Sequence, residues 1–123
     1  MNKSVLITGA SSGLGKDFAS LYAEKGYDLV LTARRESNLK SIASDLTSKY
    51  NISAAIIPAD LGEPQSPYKI FNFCEESNIK IDILINNAGY GLTGEFDKIS
   101  WEEHDTFINV LSTSAIALTR LFL

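Results

Sequence analysis

A short apolar run, Ser4 to Ile7, opens directly into Thr8-Gly9-Ala10-Ser11-Ser12-Gly13-Leu14-Gly15, and no other stretch constrains the chain as tightly. An apolar run, a glycine-rich turn and an amphipathic continuation read as a strand, a tight turn and the start of a helix. Glycine has no Cβ, so the backbone can turn sharply and let a ligand come close to it. The free N–H groups of the first helical turn then face that ligand, and the helix dipole favours an anion. The spacing Gly9-x-x-x-Gly13-x-Gly15 differs from the common G-x-G-x-x-G fingerprint. Its context, strand before and helix after, reads as a phosphate or dinucleotide cradle rather than a purely structural turn.

At 123 residues the chain has the length of one domain, enough to bury roughly 60% or more of its unfolded surface. With 45% hydrophobic and 21% charged residues it is globular in composition, and no stretch nears the ~18 apolar residues of a membrane span. A soluble protein with no membrane partner is the expectation. Val5-Leu6-Ile7 is too short for the apolar part of a signal peptide, and the single Cys74 cannot form an internal disulfide, so a cytoplasmic location is expected. A net charge of −4 argues against a nucleic-acid partner, which needs a clustered positive face.

Beyond the turn, Leu14, Phe18, Leu21 and Tyr22 recur with helical spacing, with Ser12 as N-cap and Gly26 as stop. Asp28 to Ala33 reads as a strand, Leu39, Ile42, Ala43, Leu46 and Tyr50 as a second helix, and Ser53 to Ile57 as a third strand ending at Pro58. Ser66 then caps, with Pro67 in first position, a helix carrying Ile70, Phe71 and Cys74. Ile81 to Ile85 is apolar apart from Asp82, and reads as a fourth strand covered on both faces. Such alternation predicts a doubly wound parallel α/β sheet of about four strands in the order 3-2-1-4, flanked by helices and joined by right-handed crossovers. Ligands of such sheets bind at the C-terminal strand ends, where the winding reverses. The glycine turn, Arg34 and Arg35, Asp60, and Asn86 to Gly91 all fall just past strand ends.

A loop from Gly89 to Ile99 leads to Ser100-Trp101-Glu102-Glu103, a capping box that opens the last helix. One stripe of that helix holds Trp101, His104, Ile108, Leu111, Ala115, Leu118 and Phe122, and a second holds Phe107, Val110, Ala117 and Leu121. So wide an apolar face predicts self-association. No capping residue closes the pattern at Arg120-Leu121-Phe122-Leu123, which reads as a chain cut in or just after this helix. Residues 1–123 are expected to form a single domain, the N-terminal part of a larger one.

With these residues placed, the chain resembles the N-terminal half of a classical short-chain dehydrogenase/reductase. Thr8 to Gly15 matches that family's TGxxxGxG loop, Asp60-Leu61 its aspartate after the third strand, and Asn86-Asn87-Ala88-Gly89 its NNAG motif. Asn109 falls where the family carries the asparagine of its catalytic tetrad. The resemblance implies a Rossmann-type fold in which Gly9, Ser11, Ser12, Gly13, Leu14 and Gly15 surround the pyrophosphate and adenosine ribose. It implies that Asp60 bonds the adenine amino group beside the Leu61 backbone, and that Asn87, Ala88 and Gly89 border the cofactor ribose. Asn109 would help place a water in a proton relay. A small carbonyl or alcohol substrate is implied, with a homo-oligomer that uses the last helix in its interface.

Charge argues for the cofactor. NAD-type sites hold the ribose hydroxyls with an acid at the end of the second strand, whereas NADP-type sites place arginine near the 2′-phosphate. The strand ends at Ala33 without an acid and is followed by Arg34 and Arg35, whose planar guanidinium groups match phosphate oxygens. NADP(H) is therefore preferred, with NAD(H) left open; solvated arginines, one neutralised by Glu36, are the bland alternative.

The family's acid is a tyrosine with a lysine four residues later. None of Tyr22, Tyr27, Tyr50, Tyr68 and Tyr90 has that lysine. Two readings follow: a portion of an NADP(H)-dependent carbonyl reductase or alcohol dehydrogenase, inactive by itself, or a truncated binding domain acting through binding or self-association. Other chemistry finds no support. His104 lies on an apolar stripe, one His and one Cys give no zinc spacing, and the pairs Glu75-Glu76 and Glu102-Glu103 point about 100° apart on their helices. No metal is expected.

Overall fold

The structure, a computed structural model, describes residues 2–123. Four parallel strands, β1 (Ser4–Thr8), β2 (Asp28–Ala33), β3 (Ala54–Pro58) and β4 (Ile83–Ile85), form one sheet in the order β3-β2-β1-β4. Leu6 lies opposite Val30 on one side and Leu84 on the other, so β1 is the centre of the register. The chain winds outward from β1 through β2 to β3, then returns to place β4 on the other flank. The predicted 3-2-1-4 order is what the structure shows, and the winding reverses beside β1.

Side chains alternate between the two faces of the sheet. Val5, Ile7, Leu29 and Leu31 pack against α1 (Gly13–Glu24) and α2 (Glu36–Lys49) through Ala19, Ala23, Leu39, Ile42 and Leu46. Leu6, Val30 and Ile57 pack against α3 (Ser66–Glu76) and α5 (Ser114–Phe122) through Ile70, Cys74 and Leu118. Both faces are covered, which is why β1 and β2 carry continuous apolar runs. Among the described residues no helix is long and apolar enough to cross a membrane.

Several local expectations need correction. The buried face of α1 is Gly15, Ala19 and Ala23, flanked by Phe18 and Tyr22, while Leu14 is 67% exposed and Leu21 is exposed too. The helix approaches the sheet too closely for large side chains, so the small residues set the contact and the bulky ones at the stripe's edge turn outward. Ser12 occupies the N-cap position but its hydroxyl makes no capping bond. Gly26 does stop the helix: it sits at φ +87°, and the Tyr27 amide reaches back to the Tyr22 carbonyl.

β3 and β4 also shift. β3 includes Pro58, tolerated because β3 is an edge strand. β4 begins at Ile83 rather than Ile81; the Asp82 carboxylate instead accepts the Ser4 amide at 2.9 Å. Ser66 lies inside α3 after an N-cap at Gln65, and its hydroxyl donates to the Asp60 carbonyl. Ser100 caps α4 (Trp101–Ile108) as predicted, its Oγ accepting the Glu103 amide at 3.2 Å. The loop before it contains one 3-10 turn, Phe96–Lys98, and the last helix is interrupted between α4 and α5 by a π-helical turn, Asn109–Thr113.

Candidate functional site

A cleft of about 590 Å³ opens at the C-terminal ends of the strands, beside the reversal of winding. Twelve of the residues singled out from sequence line it: Gly9, Ser11, Ser12, Gly13, Leu14, Arg34, Arg35, Asp60, Leu61, Asn87, Ala88 and Gly89. Gly15 lies buried beneath them in α1, and Asn109 stands behind the wall rather than in it.

One wall is the glycine loop after β1. Gly9 has φ +63°, and a Cβ there would lie 2.9 Å from the Ala88 Cα. At Gly15 a Cβ would land on the Gly9 carbonyl oxygen. These two positions let the turn fold onto the start of α1 and onto the loop after β4 at once. Thr8 fixes that second approach: its hydroxyl oxygen accepts the Asn87 and Ala88 amides, both at 2.9 Å, and the Asn87 side-chain amide donates to the Gly9 carbonyl at 3.2 Å.

The opposite wall is the loop after β3. The Ala59 amide donates to the Ala33 carbonyl at 3.0 Å, and Asp60 Oδ1 accepts the Gly62 amide at 2.9 Å. One carboxylate oxygen of Asp60 thus shapes its own loop, while Oδ2 has no hydrogen-bond partner among the described residues. From the far side the Ser114 hydroxyl donates to the Leu61 carbonyl at 2.6 Å, and the Asn109 side-chain amide donates to the Gly62 carbonyl at 3.3 Å.

At the outer end of the cleft Arg34 and Arg35 are exposed where β2 gives way to α2. Glu36 does not neutralise them: it pairs with Lys40 at 3.4 Å, and no carboxylate lies within ion-pair distance of either arginine among the described residues. The charge of this rim is unopposed.

Tyr90 lines the cleft as part of the Asn86 to Gly91 stretch, whereas sequence reasoning missed Thr32, Ala33, Asn38, Ala59, Thr106 and Val110, which also line it. Ala33 and Ala59 adjoin residues already singled out, so proximity to a strand end could have found them. Thr32 donates its hydroxyl to the Ile57 carbonyl at 2.6 Å and serves the sheet. Val110 belonged to an apolar helical stripe, a pattern that reads as core, and no signal distinguished Thr106 or Asn38.

Elsewhere, burial and the neighbouring Glu75 push the Cys74 thiol up to about 11, so it stays protonated and is no nucleophile at neutral pH. His104 packs on Phe96, with Nε2 3.0 Å from that residue's carbonyl oxygen, as a packing histidine would. Among the described residues no group of His, Cys, Asp or Glu could hold a metal.

A doubly wound sheet with a glycine-loop cleft at its switch point defines a nucleotide-binding α/β class. The sequence profile of the short chain dehydrogenase family matches residues 3–123, and the chain belongs to that family. It is 36% identical over 120 residues to a very-long-chain 3-oxoacyl-CoA reductase of Candida glabrata, covering 94% of this chain and 34% of the relative. An NADP-dependent 3-hydroxy acid dehydrogenase of Schizosaccharomyces pombe is 36% identical over 123 residues, covering 98% and 48%. The solved structure of a short-chain dehydrogenase from Sphingobium yanoikuyae in complex with NADPH superposes with a TM-score of 0.91 at 34% identity, covering 98% and 46%. The chain thus spans between a third and a half of the length of these relatives.

Proposed function

We propose that this chain is the cofactor-binding portion of an NADP(H)-dependent oxidoreductase that acts on a small carbonyl or alcohol. The observation that carries it is the rim of the cleft: two unopposed arginines stand at the end of β2 with no acid in the position that holds NAD-type ribose hydroxyls. The cradle fits the group, since a Cβ at Gly9 or Gly15 would fill the close approaches that shape it. The S. pombe relative is NADP-dependent and the S. yanoikuyae structure holds NADPH, which supports the same choice.

In this reading Gly9, Ser11, Ser12, Gly13 and Leu14 hold the pyrophosphate and adenosine ribose, with Gly15 letting α1 start directly beneath them. Arg34 and Arg35 hold the 2′-phosphate. The Asp60 oxygen left free by Gly62 receives the adenine amino group beside Leu61, and Asn87, Ala88 and Gly89 border the second ribose. The bound dinucleotide would supply or accept the hydride. Asn109 keeps the relay role that the family implies, with its side chain fixed in one orientation by the Gly62 carbonyl. No tyrosine of the chain precedes a lysine by four positions, so these 123 residues by themselves bind cofactor without turning it over.

The test is a pair of titrations, NADPH and NADH, followed by tryptophan and cofactor fluorescence. Each charged hydrogen bond to phosphate contributes about 1.5–3 kcal/mol, so Arg34→Asp should weaken NADPH roughly 10- to 100-fold and leave NADH nearly unchanged. Equal affinities of the wild type for both cofactors would remove the NADP(H) assignment.

The same proposal includes a cytoplasmic homo-oligomer built on the last helix. Trp101, 70% exposed, together with Ile108, Leu111 and Ile116, offers the apolar surface for it. Light scattering should show a concentration-dependent dimer or larger species; a monomer at every concentration ends this part.

A further inference from the structure

The two bonds that hold the loop after β3 come from residues with an unexpected spacing. Asn109 and Ser114 are five residues apart, yet they bond the adjacent carbonyls of Gly62 and Leu61. In a regular α-helix, with about 3.6 residues per turn, residues five apart point about 140° away from each other and cannot serve one short loop. Between them runs the π-helical turn, closed by the Ser114 amide donating to the Asn109 carbonyl. Bonding of that i to i+5 kind brings residues five apart back to nearly the same face.

We infer that the π turn Asn109–Thr113 is a spacing device that lets one helix grip two consecutive carbonyls, and that Ser114 is a positioning residue for the adenine wall of the cleft. The grip is tight where it is buried. Ser114 is only 2% exposed, and α4 lies against the loop so closely that a Cβ on Gly62 would come 2.7 Å from the Thr106 methyl. Thr106 and Val110, on the same helix, line the cleft directly. Ser114 therefore acts on the ligand only through Leu61 and its neighbour Asp60, whose free carboxylate oxygen keeps its aim only while the loop keeps its shape. This step rests on the dinucleotide reading above.

Three variants test it: Ser114→Ala, Ser114→Cys, which nearly keeps the volume while weakening the donor, and insertion of one alanine after the exposed Ser112, which sets the two anchors six residues apart and off a common face. Two readouts are needed, amide exchange at Gly62 and Glu63, and binding of NADPH and of adenosine 2′,5′-bisphosphate. A buried carbonyl left without its donor should raise exchange about tenfold in both Ser114 variants. Both ligands should weaken by a similar factor, because the bisphosphate samples the adenine end alone. The insertion should do at least as much with its helical circular dichroism retained. If exchange stays at the wild-type rate, or Ser114→Cys behaves as wild type, the grip is not a hydrogen bond and the inference fails. Faster exchange with unchanged affinity would overturn the positioning role. Wild-type protein that binds neither ligand would instead defeat the proposed function, and exchange would still decide the spacing device.

Discussion

The two loops that face each other across the cleft are held by opposite means. The glycine loop is held by subtraction: at Gly9 and Gly15 the absence of a side chain lets three backbone segments touch, and one threonine clasps them. The loop after β3 is held by addition, through the side chains of Asp60, Ser66, Asn109 and Ser114, each bonded to a backbone group of that loop. The difference follows from what each wall offers. A wall that presents bare backbone to an anion cannot carry side chains in the way, so its rigidity must come from packing. A wall that presents a carboxylate can be tied from behind.

If that contrast is right, the two walls should respond differently to one added methyl group. The largest effect is expected for Gly15→Ala. Helix propensity alone would favour alanine by about 1 kcal/mol, but the new Cβ meets the Gly9 carbonyl, which has no rotamer to move into. A net loss of about 3 kcal/mol in urea unfolding is expected, and adding Asn87→Ala should not recover it. A smaller loss, about 1 kcal/mol, is expected for Gly62→Ala, because the obstacle is the tip of the Thr106 side chain. Here a second change, Thr106→Ser, removes the methyl and should return most of the stability in a double-mutant cycle. Rescue at Gly15, or none at Gly62, would erase the distinction between the walls.

The subtractive wall was legible in the sequence and the additive one only in part. A glycine is a visible omission, and Gly9, Gly13 and Gly15 between a strand and a helix announce a turn whose neighbours come close. The parallel order of the sheet was legible for the same kind of reason, since Val5 to Ile7 and Leu29 to Leu31 are apolar on both faces. Asp60 and Asn109 were recognised from their place in family motifs. Ser114 was not, because its partner Leu61 lies 53 residues away and a serine in a helix carries no mark of what it reaches. The π turn left no trace either: Val110 and Leu111 fit an α-helical stripe as well as they fit the turn that contains them. In α1 the periodicity of bulky residues misled, since the face nearest the sheet is the one with the least bulk.

The Thr8 clasp carries a consequence for how the chain acquires its shape. Its two partners, Asn87 and Ala88, stand 79 and 80 residues away, while β1 pairs with β2 after an interval of only 24 positions, Ser4 to Asp28. Closing the longer loop costs more chain entropy, and contacts of high sequence separation form slowly. A nascent chain would therefore hold β1, β2 and β3 with a glycine loop already turned but open on one side. Closure of the glycine loop onto the loop after β4 would follow the pairing of β1, β2 and β3, and would report that those strands are in register.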